Sequence, residues 1–90
     1  MRLDYFLKMS RIVKRRPLAK EMCEKKLVQV NEQTAKAGKE IQTGDLIIVK
    51  FPYRTVKVRV EQVPERVVSK KAASDLYTLL EEVRHSEDDW

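Results

Sequence analysis

The sequence predicts an α+β domain in which two N-terminal helices pack on a small, twisted antiparallel sheet and a further helix follows at the C-terminus. Ninety residues, 42% of them hydrophobic, allow a single domain with a small core. Apolar residues recur at helical spacing near the N-terminus and again after residue 70. Between residues 27 and 60 the pattern changes to the alternation of β-strands.

The first helix is predicted over residues 3–11. Its apolar face carries Leu3, Phe6 and Leu7, while Asp4 and Lys8 lie one turn apart on the polar face. An acid one turn before a base stabilises a helix by about 0.2–0.5 kcal/mol. We therefore expect Asp4 to order the helix, in a pair with Lys8, rather than to take part in catalysis.

The second helix is predicted from Pro17 to about Lys25, because proline is well placed at the first helical position. Lys14, Arg15 and Arg16 directly precede it. Cationic side chains and the free backbone N–H groups of a helix N-terminus both favour anions, so this junction is a candidate phosphate site. Further along, Cys23 falls on the apolar stripe and is expected to be a small buried residue.

Short strands are predicted next, at residues 27–30, 34–36, 46–51 and 56–60. Asn31-Glu32 and Gly44-Asp45 read as turns between them, since Asn and Gly accept left-handed backbone. In the last strand the valines alternate with charged residues and are expected to face inward.

A C-terminal helix is predicted from about Lys70 to Arg84, with Ser69 as its N-cap. Its apolar stripe is expected to pack on the domain and comprises Ala73, Leu76, Tyr77, Leu80 and Val83. Residues 1–64 would thus form the main domain. Residues 65–90 would add a linker, this helix and an acidic, solvated tail ending in Trp90, all within one compact unit.

Charge is distributed unevenly along the chain. Residues 1–26 hold nine Lys/Arg and three acids, whereas residues 81–90 hold one Arg and five acids. Such a basic end favours a polyanionic partner, although a merely solvated basic face would look the same. No apolar run approaches the ~18–20 residues that span a bilayer, and the N-terminus does not resemble a signal peptide. We expect a cytoplasmic protein without a membrane partner.

Features of an enzyme are missing from the sequence. The single cysteine excludes an intrachain disulfide and a Cys-rich zinc site, and two glycines leave no nucleotide-binding loop. His85 lies among acids that have no framework to pair them for acid–base chemistry. We predict no catalytic residue, no metal ligand and no cofactor. The rival to nucleic-acid binding is a protein–protein adaptor that uses the C-terminal helix.

Several short motifs, in order, resemble the S4-type RNA-binding domain named after a ribosomal small-subunit protein. They are Arg2-Leu3-Asp4 with Leu7, Arg15-Arg16, Ala19-Lys20, Val28-Gln29-Val30-Asn31 and Gly44-Asp45. Over the whole chain the pattern is similar to the RqcP family of bacterial ribosome-associated quality control factors. The short acidic C-terminus favours that family over its longer, basic heat-shock relative. Lys26 and Glu32 stand where the S4 pattern has glycines, which puts the two turns in question.

The resemblance implies the S4 (alpha-L) fold and a function without chemistry. Such a factor would bind rRNA and peptidyl-tRNA on obstructed large ribosomal subunits. There it would stabilise the tRNA while RqcH supports C-terminal alanine tailing. The protein would be ribosome-associated in the cytoplasm and monomeric off the ribosome. A heat-shock-type ribosome recycling factor and a general rRNA-binding protein are the alternatives within the same fold.

The RNA-binding residues are predicted in two ways. The resemblance implies that Arg2, Arg15, Arg16 and Lys20 face RNA, with Arg16 the leading candidate. The pattern of the residues themselves adds Lys8, Arg11, Lys14 and Lys36. A supporting structural role is expected for Asp4, Ala19, Asn31, Gly44 and Asp45. Because the basic stretch contains only Tyr5 and Phe6 as aromatics, we expect recognition of RNA shape rather than of bases.

Overall fold

A computed structural model describes residues 1–85 and places two helices against one face of a five-stranded antiparallel sheet. The helices are α1 (Leu3–Met9), α2 (Arg16–Glu24) and the single turn α3 (Lys70–Ala73), which continues into a 3-10 turn at Ser74–Leu76. The strands are β1 (Val28–Val30), β2 (Gln33–Thr34), β3 (Leu46–Lys50), β4 (Arg54–Val60) and β5 (Tyr77–Arg84). The predicted α+β fold is therefore confirmed.

The sheet has the strand order β2-β1-β3-β4-β5, and each neighbouring pair is antiparallel. Its inner face consists of rows of directly opposed aliphatic residues, which are buried as the alternation predicted. The two central rows are Val28–Val49–Val56 and Val30–Ile47–Val58.

The apolar faces of the first two helices cover this sheet. Leu3, Phe6 and Leu7 of α1 are fully buried in the same cluster as the strand valines. Each such side chain contributes roughly 1.5–3 kcal/mol as an upper estimate. On α2, Cys23 is buried, and this burial raises the pKa of its thiol to about 11, so the thiol is protonated at neutral pH. The core thus takes up most of the apolar residues of the basic N-terminal segment, with Leu18 left exposed.

The end of α2 settles the question raised by Lys26. The Lys26 N–H donates to Cys23 O at 3.0 Å and the Leu27 N–H donates to Met22 O at 2.9 Å, which is a Schellman motif. Lys26 occupies the left-handed position of that motif, with φ of 62°. Glu32 is likewise left-handed, with φ of 71°. Both turns keep the geometry that glycine would favour, at some conformational cost.

The predicted C-terminal helix is wrong over most of its length. Ser69 does cap a helix, accepting a hydrogen bond from the Ala72 N–H at 3.1 Å, but that helix ends at Ala73. Residues Tyr77–Arg84 instead form β5, which pairs along the whole of β4 with a register shift at Lys57/Val58. The backbone N–H and C=O groups on this side of β4 need partners, and β5 supplies them, so pairing overrides the helical pattern.

The burial of the predicted stripe changes accordingly. Ala73 and Leu76 are buried in the core, as expected for either structure. Leu80 and Val83, in contrast, lie on the outer strand and are more than 40% exposed. The predicted tail with Trp90 lies outside the described residues. Among residues 1–85 no helix has the length and apolarity to cross a bilayer.

We expect Lys26→Gly to stabilise the domain by about 0.5–1 kcal/mol. Left-handed backbone costs a non-glycine residue about 1–2 kcal/mol, part of which is offset by the greater chain entropy of unfolded glycine. The urea midpoint of unfolding measures this. The neighbouring Lys25 has φ of −83°, so Lys25→Gly serves as the control and should lower stability by about 0.5–1 kcal/mol. Equal destabilisation by both variants would contradict the assigned backbone conformation.

Candidate nucleic-acid interface

A buried carboxylate lies at the centre of the basic surface. Asp4, in the first turn of α1, is only 2% exposed. Its Oδ1 accepts hydrogen bonds from the Tyr5 N–H at 2.8 Å and from Arg2 Nε at 3.2 Å. Its Oδ2 accepts hydrogen bonds from Arg16 Nε at 3.4 Å and from Arg2 Nη2 at 3.5 Å. The expected pairing of Asp4 with Lys8 is therefore wrong: the carboxylate turns inward, towards two arginines, instead of lying along the outer face of the helix.

Arg2 and Arg16 are each bound to Asp4 and are still partly exposed to solvent. Their side chains are 51% exposed for Arg2 and 45% exposed for Arg16. A guanidinium has five N–H donors, so Arg16, bound through Nε, and Arg2, bound through Nε and Nη2, both keep donors that can bind another anion. Burial makes an unpaired carboxylate costly, which favours the paired arrangement even without a ligand. Asp4 thus orients two exposed forks while cancelling only one of their two charges.

Tyr5 fixes Arg16 from a second direction. The Arg16 guanidinium carbon lies 4.9 Å from the centroid of the Tyr5 ring, a cation–π contact. Tyr5 is half-buried, so its ring forms a firm support. Arg16 is the first residue of α2 and is followed by Pro17, which is set within the first helical turn. The side chain is therefore positioned by α1 and by the start of α2 together.

The loop between β2 and β3 forms the other wall of the site. The N–H groups of Leu3 and Asp4 donate to Lys39 O and Ala37 O at 2.8 and 3.1 Å, which ties the loop to the start of α1. The Arg2 guanidinium lies beside Gly38, in ordinary van der Waals contact with the position of a Cβ there. Lys36 and Lys39 are exposed on this loop, so the loop adds two cations next to Arg2.

These contacts bring part of the predicted set together. Arg2, Asp4, Arg16, Pro17 and Lys20 line one open hollow of about 410 Å³, which we call the Asp4 hollow. Lys36 lines the adjoining surface with Gly38.

The other predicted cations lie elsewhere. Lys8, Lys14 and Arg15 are exposed on the same N-terminal segment but do not line the Asp4 hollow. Arg11 follows the end of α1 and lines a separate groove against β4 and β5.

The residues expected to support the site are placed in the core and in the turns. Ala19 lies in α2 and is fully buried. The Asn31 side chain donates to Asp45 Oδ1 at 3.1 Å and accepts from the Leu46 N–H at 3.0 Å, while Asp45 Oδ2 accepts from the Gln42 N–H at 2.9 Å. Gly44 has φ of 94°, a conformation that favours glycine. These bonds tie the C-terminal end of the loop that carries Lys36 to the turn between β1 and β2.

Two features of the site were not found from the sequence. Lys39 joins the basic surface because backbone bonds dock its loop on α1, more than thirty residues away in the chain. Tyr5 supports Arg16 across a separation of eleven residues. Neither contact leaves a local pattern in the sequence. Tyr5 does stand next to one motif residue, Asp4, and it contacts another, Arg16.

The chemistry available to this surface is the binding of anions. The Asp4 hollow carries three cations against one carboxylate, and the adjoining loop adds Lys36 and Lys39. Within residues 1–85 no group of His, Cys, Asp and Glu side chains is arranged to hold a metal ion. Arginine forks that are held in place suit phosphate oxygens, which they bind in pairs.

Comparison with known proteins gives a consistent result. Residues 1–47 match the S4 domain family. The chain is 41% identical over 87 residues to the RQC P-site tRNA stabilizing factor of Listeria innocua, a match that covers 97% of this chain and 94% of the relative. It is 39% identical to the Bacillus subtilis protein of the same name, covering 97% and 100% of the two chains.

A solved structure supports the α+β S4 fold. Vibrio cholerae heat shock protein 15, described as trimeric, superposes with a TM-score of 0.82 at 29% identity, covering 89% of this chain and 81% of that one. The resemblance that rested on Arg2-Leu3-Asp4 and the later motifs is thereby confirmed. With nearly full coverage at these identities, the chain belongs to the S4-domain family of RQC P-site tRNA stabilizing factors.

Proposed function

We propose that this protein is a non-catalytic RNA-binding factor that holds P-site tRNA on obstructed large ribosomal subunits carrying peptidyl-tRNA. The observation that carries the proposal is the Asp4 hollow, in which a buried carboxylate presents Arg2 and Arg16 beside Lys20. The names of the relatives supply the biological setting, and the geometry supplies the means of binding.

The mechanism is electrostatic positioning. The major groove of A-form RNA is too deep and narrow for side chains to read, so folded RNA is bound through its shape, its phosphates and its 2′-hydroxyls. Because Asp4 and Tyr5 already hold Arg16, little side-chain entropy is lost when the guanidinium meets a phosphate. The predicted RNA-facing set consists of Arg2, Lys8, Arg11, Lys14, Arg15, Arg16, Lys20 and Lys36, with Lys39 now added.

The finer role that we propose comes from the family resemblance, with which these contacts agree. By binding large-subunit rRNA and peptidyl-tRNA together, the protein would keep the tRNA in its peptidyl position while RqcH supports C-terminal alanine tailing. We expect it to act as a monomer bound to the ribosome in the cytoplasm. The adaptor alternative would have to use β5, because the predicted helix is a strand from Tyr77 onward and Leu80 and Val83 are exposed on it.

Arg16→Gln should weaken binding to large subunits and reduce its dependence on salt. If about five phosphates are contacted, log affinity should fall against log salt with a slope on the order of −3.5 to −4.5, and each lost contact should reduce that slope by about 0.7–0.9. Binding measured over a KCl series at constant Mg²⁺ tests this. Lys25→Gln, at the other end of α2 where Lys25 pairs with Glu21, is the control and should leave the slope unchanged. A nearly flat slope for the unmodified protein would refute phosphate binding.

Asp4→Asn should weaken RNA binding even though it makes the protein more positive. The amide cannot hold Arg2 and Arg16 as a carboxylate does, so the forks lose their orientation, and stability should fall by about 1–3 kcal/mol. Binding and urea unfolding are measured together, at a temperature where the variant is folded. Glu24→Gln, an exposed site on α2, makes the same change in charge and should bind as well as the unmodified protein or better. Tighter binding by Asp4→Asn would show that net charge, not orientation, governs affinity.

Co-sedimentation should distinguish the quality-control role from general rRNA binding. We expect the protein to bind large subunits that carry peptidyl-tRNA more tightly than empty large subunits, because the tRNA supplies part of the contact surface. Both subunit preparations are titrated at the same salt concentration. Equal affinity for the two would favour a general rRNA-binding protein and count against the P-site assignment.

A further inference from the structure

A second basic groove lies on the part of the sheet that the two helices leave uncovered. It runs between the α1–α2 connection and the inner face of β4 and β5, and its volume is about 200 Å³. Three arginines from three different elements line it: Arg11 after α1, Arg54 on β4 and Arg84 on β5. Its apolar floor includes Val58, Tyr77 and Leu79, among others. We call it the arginine groove.

The arginine groove carries excess positive charge. Among the described residues that line it, Glu82 is the one acid, which accepts a hydrogen bond from Arg54 Nη1 at 3.0 Å and lies 3.7 Å from Arg84 Nη2. Within residues 1–85, three arginines and one carboxylate therefore line the groove. The side chains of Arg54 and Arg84 are 43% and 77% exposed, so most of their donors are open to a ligand.

The fold brings these arginines together from separate parts of the chain. Arg54 and Arg84 lie directly opposite each other on β4 and β5, where like charges repel, and they share the carboxylate of Glu82. Arg11 is placed by the end of α1: it follows the C-cap residue Ser10 with φ of 62°, and its N–H donates to Lys8 O at 3.1 Å. The turn that ends α1 therefore adds a third cation to the two on the strands.

We propose that the arginine groove is a second phosphate-binding surface, which contacts the same RNA as the Asp4 hollow; this inference rests on the proposed function. A volume of about 200 Å³ is below the ~300–1,000 Å³ of pockets that enclose small ligands, so the groove suits part of a polymer rather than a free metabolite. The arginines at its rim fit phosphate oxygens, and Tyr77 and Leu79 offer apolar contact to a ribose or a base.

The distance between the two surfaces suits one RNA partner. The Asp4 hollow lies at the first turn of α1, and Arg11 comes two residues after its end. The seven residues of α1 span about 10 Å. Phosphates of one folded RNA can reach both ends of so short a helix, and Lys8 is exposed between them.

The test is the double variant Arg11→Gln/Arg84→Gln, titrated against large ribosomal subunits carrying peptidyl-tRNA over a KCl series at constant Mg²⁺. Arg54 is left in place because it contacts Glu82 and the Phe51 ring. We expect roughly tenfold weaker binding at low salt and a slope that is less steep by about 1.4–1.8, the value for two lost phosphate contacts. Urea unfolding of the variant confirms that it is folded under the conditions of the titration.

The control is Lys70→Gln/Lys71→Gln, which removes two exposed charges from α3, outside the groove. An equal loss of affinity in the control would show that net charge alone explains the effect, and it would overturn the inference. So would a loss that appears only when a protein partner is added, because it would assign the arginines to a protein interface. An unchanged slope for the double variant, with Arg16→Gln still defective, would refute the groove but leave the proposed function standing. If Arg16→Gln also bound normally, the proposed function would fail.

Discussion

The buried carboxylate of Asp4 is the constraint on which the basic surface depends. Its side chain is 2% exposed, and it is placed there because the residues on either side of it, Leu3 and Tyr5, begin a helix whose apolar face lies in the core. A charge in that position must be paired. The pairs come from Arg2, just before the helix, and from Arg16, at the start of the next one. One acid therefore joins two elements and orients two cations.

The loop between strands β2 and β3 completes the basic surface beside the helices. Backbone bonds from α1 to Ala37 and Lys39 hold the β2–β3 loop beside Arg2, and the Asn31–Asp45 hydrogen bond closes the base of that loop. Most apolar side chains of the N-terminal segment pack in one cluster with the strand valines. Positive charge is thus displayed on a rigid frame, where it can be matched to the fixed shape of folded RNA.

The features that the sequence predicted arise from local patterns, whereas those that it missed arise from contacts between residues far apart in the chain. Both N-terminal helices and the inward valines of β4 follow from local periodicity, which every residue in the segment carries. The pairing of Asp4 with Arg16 does not, because Lys8 is one turn away in sequence whereas Arg16 becomes a neighbour only when α2 packs on α1. The same reason explains β5: residues 77–84 fit a helical stripe, and only the unpaired backbone of β4 makes them a strand.

Lys26 and Arg11 extend this reasoning to the backbone. Each has φ of 62°, where glycine would be easier, yet their surroundings differ. Lys26 closes a Schellman motif whose hydrogen bonds fully account for its conformation. Arg11 ends α1 in a related way, because it follows the C-cap residue Ser10 and its N–H donates to Lys8 O at 3.1 Å. Helix termination thus accounts for the backbone of both residues. The difference lies in the side chains, since that of Arg11 lines a groove that already holds two other arginines. If both basic surfaces bind phosphate as proposed, α1 is the short spacer between them.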